Sequence, residues 1–177
     1  MKPIVKNYVK DNQKLPLFGI GPYLVFAMAA LTLVGILLSG NILSSGIVSG
    51  MWIIVFRVIG ALLNVLGIAV WFIGAMRSDM DESITENKLQ TGGIYAYVRN
   101  PMYSGWWIAI AGISLMWHNL WLLIIPVINW CIMTVVLKNT EEKWLLKLYG
   151  SDYEEYKKHV NRCIPWFPKR ILKNDDT

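Results

Sequence analysis

The chain has 177 residues, of which 55% are hydrophobic and only 16% charged, with a mean hydropathy of +0.42. An aromatic share of 12% excludes a disordered chain, and a domain of this size could not hide so much apolar surface from water. The net charge of +5 sits at the ends of apolar runs, which points to anionic lipid headgroups rather than nucleic acid.

A basic arm with Lys2, Lys6, Lys10 and Lys14 precedes the first apolar run, Ile20 to Ser39. That run is long for a cleavable signal segment, so it reads as a retained span. A second run extends from Met51 to Met76, with Arg57 near its start and Asn64 inside. A third, Met102 to Trp117, is short and is expected to continue through the following turn. A fourth runs from Leu120 to Leu137 and contains Pro126 and Asn129. A bilayer core of about 30 Å needs roughly 20 helical residues, so the expectation is an all-α integral membrane bundle of about four transmembrane helices. His118-Asn119 alone separates the last two runs, which predicts a helical hairpin. Trp106, Trp107, Trp117 and Trp121 read as its interfacial belt.

Lys and Arg are absent from the loop Asn41 to Gly50 and from the turn at His118-Asn119. The segment Arg77 to Pro101 carries Arg77, Lys88 and Arg99, and the tail beyond Leu137 is strongly basic. This alternation predicts both termini in the cytoplasm. One membrane domain is expected, with residues 1–76 forming an arm and two spans, and residues 77–177 combining a transmembrane helical hairpin with a cytoplasmic C-terminal region that is the candidate cofactor-binding and catalytic part.

Two polar segments are patterned as more than linkers. Ser83-Ile84-Thr85-Glu86 fits a capping box that would start a short helix ending near Thr91-Gly92-Gly93. Glu141 to Tyr149 continues the fourth span as an interfacial helix with Trp144, Leu145, Leu148 and Tyr149 on one side. Gly150 ends it, and Asp152 caps the next helix. Cys131 and Cys163 lie in unlike surroundings and are not expected to pair. Two cysteines and two histidines supply no metal cluster. No dinucleotide fingerprint, Walker loop, HExxH or CxxC is present.

Chemistry concentrates where the hairpin's polar ends meet. There Arg99, Asn100 and Tyr103 come near Glu141 and Glu142, at the mouth of the bundle. An arginine, paired carboxylates and aromatics suit a charged, partly aromatic cofactor. The same residues also fit a snorkelling arginine, a solvated helix face and belt tyrosines.

The stretch Leu89-Gln90-Thr91-Gly92-Gly93-Ile94-Tyr95-Ala96-Tyr97-Val98-Arg99-Asn100-Pro101-Met102-Tyr103-Ser104-Gly105 resembles the L-x-T-x-G-x-Y-x-x-V-R-[HN]-P-x-Y-x-G signature of the isoprenylcysteine carboxyl methyltransferase family. Glu141-Glu142-Lys143-Trp144-Leu145, then Tyr149 to Tyr156, is similar to its E-E-x-x-L…[FY]-G-x-x-Y-x-x-Y block. Val160-Asn161-Arg162-Cys163-Ile164-Pro165 is similar to its closing V-x-R-x-x-P. The resemblance implies an integral membrane methyltransferase using S-adenosylmethionine, bound on the cytoplasmic side. It implies a lipophilic acceptor entering from the bilayer, such as the carboxylate of a prenylcysteine-like lipid. On this basis Gly93, Ile94, Tyr95, Asn100, Pro101, Tyr103, Glu141 and Glu142 are expected to bind the cofactor. Arg99 and Glu142 are expected to act in catalysis. Asn100 stands where many members carry His, so a proton-transfer imidazole is missing there. A sterol-type reductase using NADPH and a non-enzymatic membrane scaffold are the alternatives.

Overall fold

A computed structural model describes residues 20–77 and 89–167. The capping box at Ser83 to Glu86 lies outside them. Among the described residues six α-helices follow in order: α1 Gly21–Ser39, α2 Met51–Arg77, α3 Pro101–Met116, α4 Ile124–Asn139, α5 Glu141–Tyr149 and α6 Ser151–His159. Short 3-10 turns occur at Ser44–Gly46, Gly93–Ala96 and Leu120–Leu123. No strand occurs among the described residues, so the fold is all-α as expected.

Among the described residues, three helical stretches are long and apolar enough to cross a membrane: Gly21–Ser39, Met51–Met76 and Leu120–Tyr149. The apolar part of the last ends at Leu137, and Lys138 begins its polar end. Helix α3 has 16 residues, or about 24 Å of rise. It is mounted against α2, and these two helices pack on each other far more extensively than any other pair.

The reason lies in glycine. Gly60, Gly67 and Gly74 recur at every seventh residue of α2, and Gly105 and Gly112 do so on α3. A seven-residue spacing keeps them on one stripe of each helix. A Cβ on Gly67 would lie 2.5 Å from the Ala109 nitrogen and 2.6 Å from the Gly105 carbonyl oxygen. A Cβ on Gly105 would lie 2.5 Å from the Trp71 nitrogen, and one on Gly112 would lie 2.6 Å from the Gly60 oxygen. Gly74 meets the Pro101 ring. The helices therefore run antiparallel, backbone against backbone. Lipid tails are as apolar as leucine, so close approach of small residues, not burial from water, holds such a pair.

Helix α1 completes the bundle differently. It buries Leu24, Met28, Thr32, Gly35 and Ser39 along one face. Leu24 and Met28 join Ile110, Met133, Leu137 and Cys163 in the core, with Tyr103, Trp107 and Val136 packed against it. Asn129 is fully buried and donates to the Met28 carbonyl at 3.5 Å and the Thr32 hydroxyl at 3.4 Å.

The end without Lys or Arg is tied by Asn119. Its buried amide donates to the carbonyls of Ser39 and Leu43 at 3.3 and 2.9 Å, and its oxygen accepts from the Trp121 nitrogen. This corrects the two-residue turn. Helix α3 stops at Met116 instead of continuing, because His118 adopts φ 44° and Asn119 caps a separate 3-10 turn. The connection therefore occupies residues 117–123.

Two further readings change. Trp107 is not a belt residue: it turns inward and donates to the Pro126 carbonyl at 2.8 Å. Asp152 does not cap α6. Gly150, at φ +54°, takes the N-cap position, so the helix begins at Ser151. The fourth span does run on, but Thr140 breaks it with φ −117° and ψ −87° before α5 starts. Both cysteines are free, Cys163 buried and Cys131 exposed.

The glycine seam is directly testable. Gly67→Ala should destabilise the protein by about 1–3 kcal/mol through forced separation of two backbones. Gly40→Ala, where a Cβ meets nothing within 4 Å, should leave thermal unfolding in detergent unchanged.

Candidate active site

At the polar end, four chain segments converge. The 3-10 turn Gly93–Ala96 leads into Val98, which is fully buried and forms a parallel bridge with Asn161. The Arg99 nitrogen donates to the Asn161 carbonyl at 2.9 Å, and the Asn100 nitrogen donates to the Arg162 carbonyl at 3.1 Å. The Asn100 side-chain amide reaches that same carbonyl at 3.1 Å. The Trp166 nitrogen donates to the Tyr97 carbonyl at 3.1 Å. The C-terminal loop is thus stitched along the entry to α3.

This stitching delivers two guanidiniums to one carboxylate. Arg162 Nε donates to Glu142 Oε1 at 2.6 Å and Arg162 Nη2 to Oε2 at 3.0 Å, a bidentate pair. Arg99 Nη2 lies 3.0 Å from Glu142 Oε1, and both of these side chains are buried. Arg99 also donates to the Tyr153 hydroxyl at 3.3 Å and lies 5.8 Å from the centre of that ring. Burial alone would raise the Glu142 carboxyl. The hydrogen bonding from Arg162 and the charges of Arg99 and Arg162 prevail and hold it below the ordinary value.

Glu141, one residue earlier, stands in a different environment. The Tyr103 hydroxyl donates to its Oε1. It forms no ion pair with another described residue. Burial raises its carboxyl above the ordinary range, against the opposing effect of the Tyr103 hydrogen bond. Tyr103 is pinned from the other side by α1, since a Cβ on Gly21 would lie 2.8 Å from its hydroxyl. Cys163, packed nearby in the core, has its thiol pushed up to about 12 by burial and is held as an inert neutral group.

The expected residues are therefore brought to one end, but in two sets. Arg99 and Glu142 meet each other and Arg162. Tyr103 and Glu141 form a second pair. Pro101 is buried against Gly74, where it sets the start of α3. Asn100 has its amide donor engaged on the C-terminal loop. Gly93 is exposed, Ile94 and Tyr95 are half-buried, and the Tyr95 carbonyl accepts from the Tyr156 hydroxyl at 2.6 Å. The sequence reading assigns no role to Arg162, Tyr153 or Tyr156. Their signal was present in the V-x-R-x-x-P and Y-x-x-Y spacings, which mark positions without naming a partner.

A family model described as phospholipid methyltransferase matches residues 45–152. The chain belongs to the phospholipid methyltransferase family. Its curated relatives include protein-S-isoprenylcysteine O-methyltransferases, as the signature blocks implied. That of Schizosaccharomyces pombe is 36% identical over 84 residues, covering 47% of this chain and 35% of the relative. That of Saccharomyces cerevisiae is 32% identical over 118 residues, covering 62% and 48%. A methanethiol S-methyltransferase of Crocosphaera subtropica is 28% identical over 93 residues, covering 51% and 34%. The chain thus spans about half or less of the relatives it matches.

The double-arginine cluster makes two predictions. Glu142→Ala would leave two guanidiniums uncompensated at a buried site, which should cost about 3–5 kcal/mol and lower the thermal midpoint in detergent. Because the folded carboxyl is depressed, folded Glu142 binds fewer protons than unfolded Glu142. Its stabilisation is complete above the ordinary value of 4.5 and is lost as the pH falls through the depressed folded value. The wild type should therefore lose more stability on acidification below about 4.5 than Glu142→Gln does.

Proposed function

We propose that this protein transfers methyl groups from S-adenosylmethionine to a lipophilic acceptor at the polar end of the bundle, and that this end faces the cytoplasm. The observation that carries the reading is Glu141. It is a partly buried carboxylate without an ion-pair partner among the described residues, set beside Tyr103 where α3, α5 and the start of α1 meet. A buried anion calls for a cation. S-adenosylmethionine has two cationic groups, its sulfonium and its ammonium, together with an adenine ring that suits aromatic neighbours.

Glu141 and Tyr103 would hold the cationic part. The exposed Gly93 and half-buried Ile94 and Tyr95 would form the adjoining wall, with Asn100 and Pro101 fixing where α3 begins. Arg99 and Glu142 act in this reading by position: with Arg162 they lock the C-terminal loop onto the mouth and keep Glu141 at its rim. When bound, the cofactor supplies an already activated methyl group. The task left to the protein is to orient the two partners and exclude water. The Lys and Arg flanks support the cytoplasmic assignment.

The relatives' names offer two kinds of acceptor, the carboxyl of an isoprenylcysteine and the sulfur of methanethiol. Either can reach a mouth that opens beside lipid-facing helices. Hydride transfer from NADPH is disfavoured, because Arg99 and Arg162 are already committed to Glu142 and are not available for a phosphate.

Calorimetric titration of the purified protein in detergent with S-adenosylmethionine, S-adenosylhomocysteine and NADPH tests the reading. Binding of the first two and not the third is expected. Binding of NADPH alone would point to a reductase, and binding of none to a scaffold.

A further inference from the structure

We infer that Arg57 holds the phosphate of an anionic phospholipid, in the leaflet at the end of the bundle opposite the candidate active site. The inference is independent of the methyl-transfer reading.

Arg57 is exposed on α2, about 9 Å of helical rise inside the start of the helix at Met51. From Val58 to Met76 the helix carries no charge, and Arg77 closes it. Arg57 and Arg77 are therefore about 30 Å apart along the axis, which is the thickness of a bilayer's hydrocarbon core. The two arginines bracket that core, and Arg57 stands where acyl chains give way to headgroups. The helix seam fixes the same level on α3. Gly60 is set against Gly112 and Met116, so Arg57, one turn earlier, is level with the end of α3 at Trp117. Trp52, Trp117 and Trp121 are all exposed at this end, as at a membrane interface.

No protein carboxylate answers this charge. Residues 20–77 and 89–140 contain no Asp or Glu. Among the described residues, the first carboxylates are Glu141 and Glu142, which stand at the other end, and Arg57 has no ion-pair partner. Side chains on a helix lean toward its N-terminus, and the N-terminus of α2 lies on the near surface. The Arg57 stem therefore leads outward, over the turn that carries exposed Ile54, and brings the guanidinium to headgroup level. There its planar fork can donate two parallel hydrogen bonds to two phosphate oxygens.

Charge complementarity selects the headgroup. A zwitterionic lipid brings its own ammonium, and no described carboxylate at this end can receive it. A lipid whose only charge is its phosphate, such as phosphatidylglycerol, leaves one cation facing one anion in a medium that penalises unpaired charge.

The test uses the full chain in phosphatidylcholine nanodiscs. A bimane fluorophore is attached at Ile54→Cys in a Cys131→Ser background, which removes the exposed native thiol. Phosphatidylglycerol or phosphatidylcholine with brominated acyl chains is added as an equal minor component, and quenching reports the local lipid. Phosphatidylglycerol should be enriched about fivefold over phosphatidylcholine, the range for one basic residue beside anionic lipid. Arg57→Gln should abolish the enrichment, and Arg57→Lys should keep part of it. The thermal midpoint of Arg57→Gln in detergent should match the wild type. Equal quenching by the two lipids, or enrichment that survives in Arg57→Gln, would overturn the inference. Loss of enrichment on adding inorganic phosphate, but not chloride at equal ionic strength, would assign the site to a soluble anion and overturn it as well. A lowered midpoint would give Arg57 a role in the fold instead.

Discussion

A carboxylate buried at the polar end of a membrane bundle must find cations, and Glu142 draws them from opposite flanks of the sequence. Arg99 precedes α3, while Arg162 follows α6. Neither could reach Glu142 unless the chain returned on itself, so this one charge requirement dictates the course of the whole C-terminal third. The backbone bridge between Val98 and Asn161, the hydrogen bonds that follow it, and the placement of Tyr153 beneath Arg99 are the local form of that return. A hydrophobic substitute could pack as tightly, but it would not distinguish this register from a neighbouring one.

The saturation of Glu142 gives the adjacent glutamate its character. Two identical residues in sequence occupy two settings, one carboxyl held below the ordinary value by two guanidiniums and the other without an ion-pair partner among the described residues. The break at Thr140 makes this possible. By interrupting the helix directly before Glu141, it lets the first carboxylate meet Tyr103 on α3 while the second turns toward the C-terminal loop.

Hydropathy made the long helices legible, and the bounds of α1 and α2 agree with the apolar runs to within a residue. Apolar length is a property of contiguous residues and can be read without a partner. The ends of α3 and α4 were less legible, because they depend on Asn119 reaching the carbonyls of Ser39 and Leu43, far away along the chain. The place of Trp107 depends on a partner in the same way: an indole is equally at home in a membrane interface or donating to a carbonyl inside the bundle, here that of Pro126. At the mouth, the meeting of Arg99, Tyr103, Glu141 and Glu142 followed from hairpin topology alone. Which glutamate each partner would take did not. The sequence showed Arg162 within a motif, but only the return of the C-terminal loop gives it Glu142. The seven-residue glycine spacing of α2 is present in the sequence, but spacing alone does not name α3 as the helix that fits it.

Where α1 is fastened by scattered polar contacts and ordinary side-chain packing, α2 and α3 meet through their backbones. Each glycine fits opposite one place on the other helix, and a slip by one residue would drive a side chain into that place. The pair can tilt together, but shear between its members is sterically blocked. A thinner or thicker bilayer would be met by reorientation of the two as one body. Since Pro101 is fitted against Gly74, the level of Arg99 to Tyr103 is indexed to α2, and mismatch with the surrounding lipid would not shift the mouth along that helix.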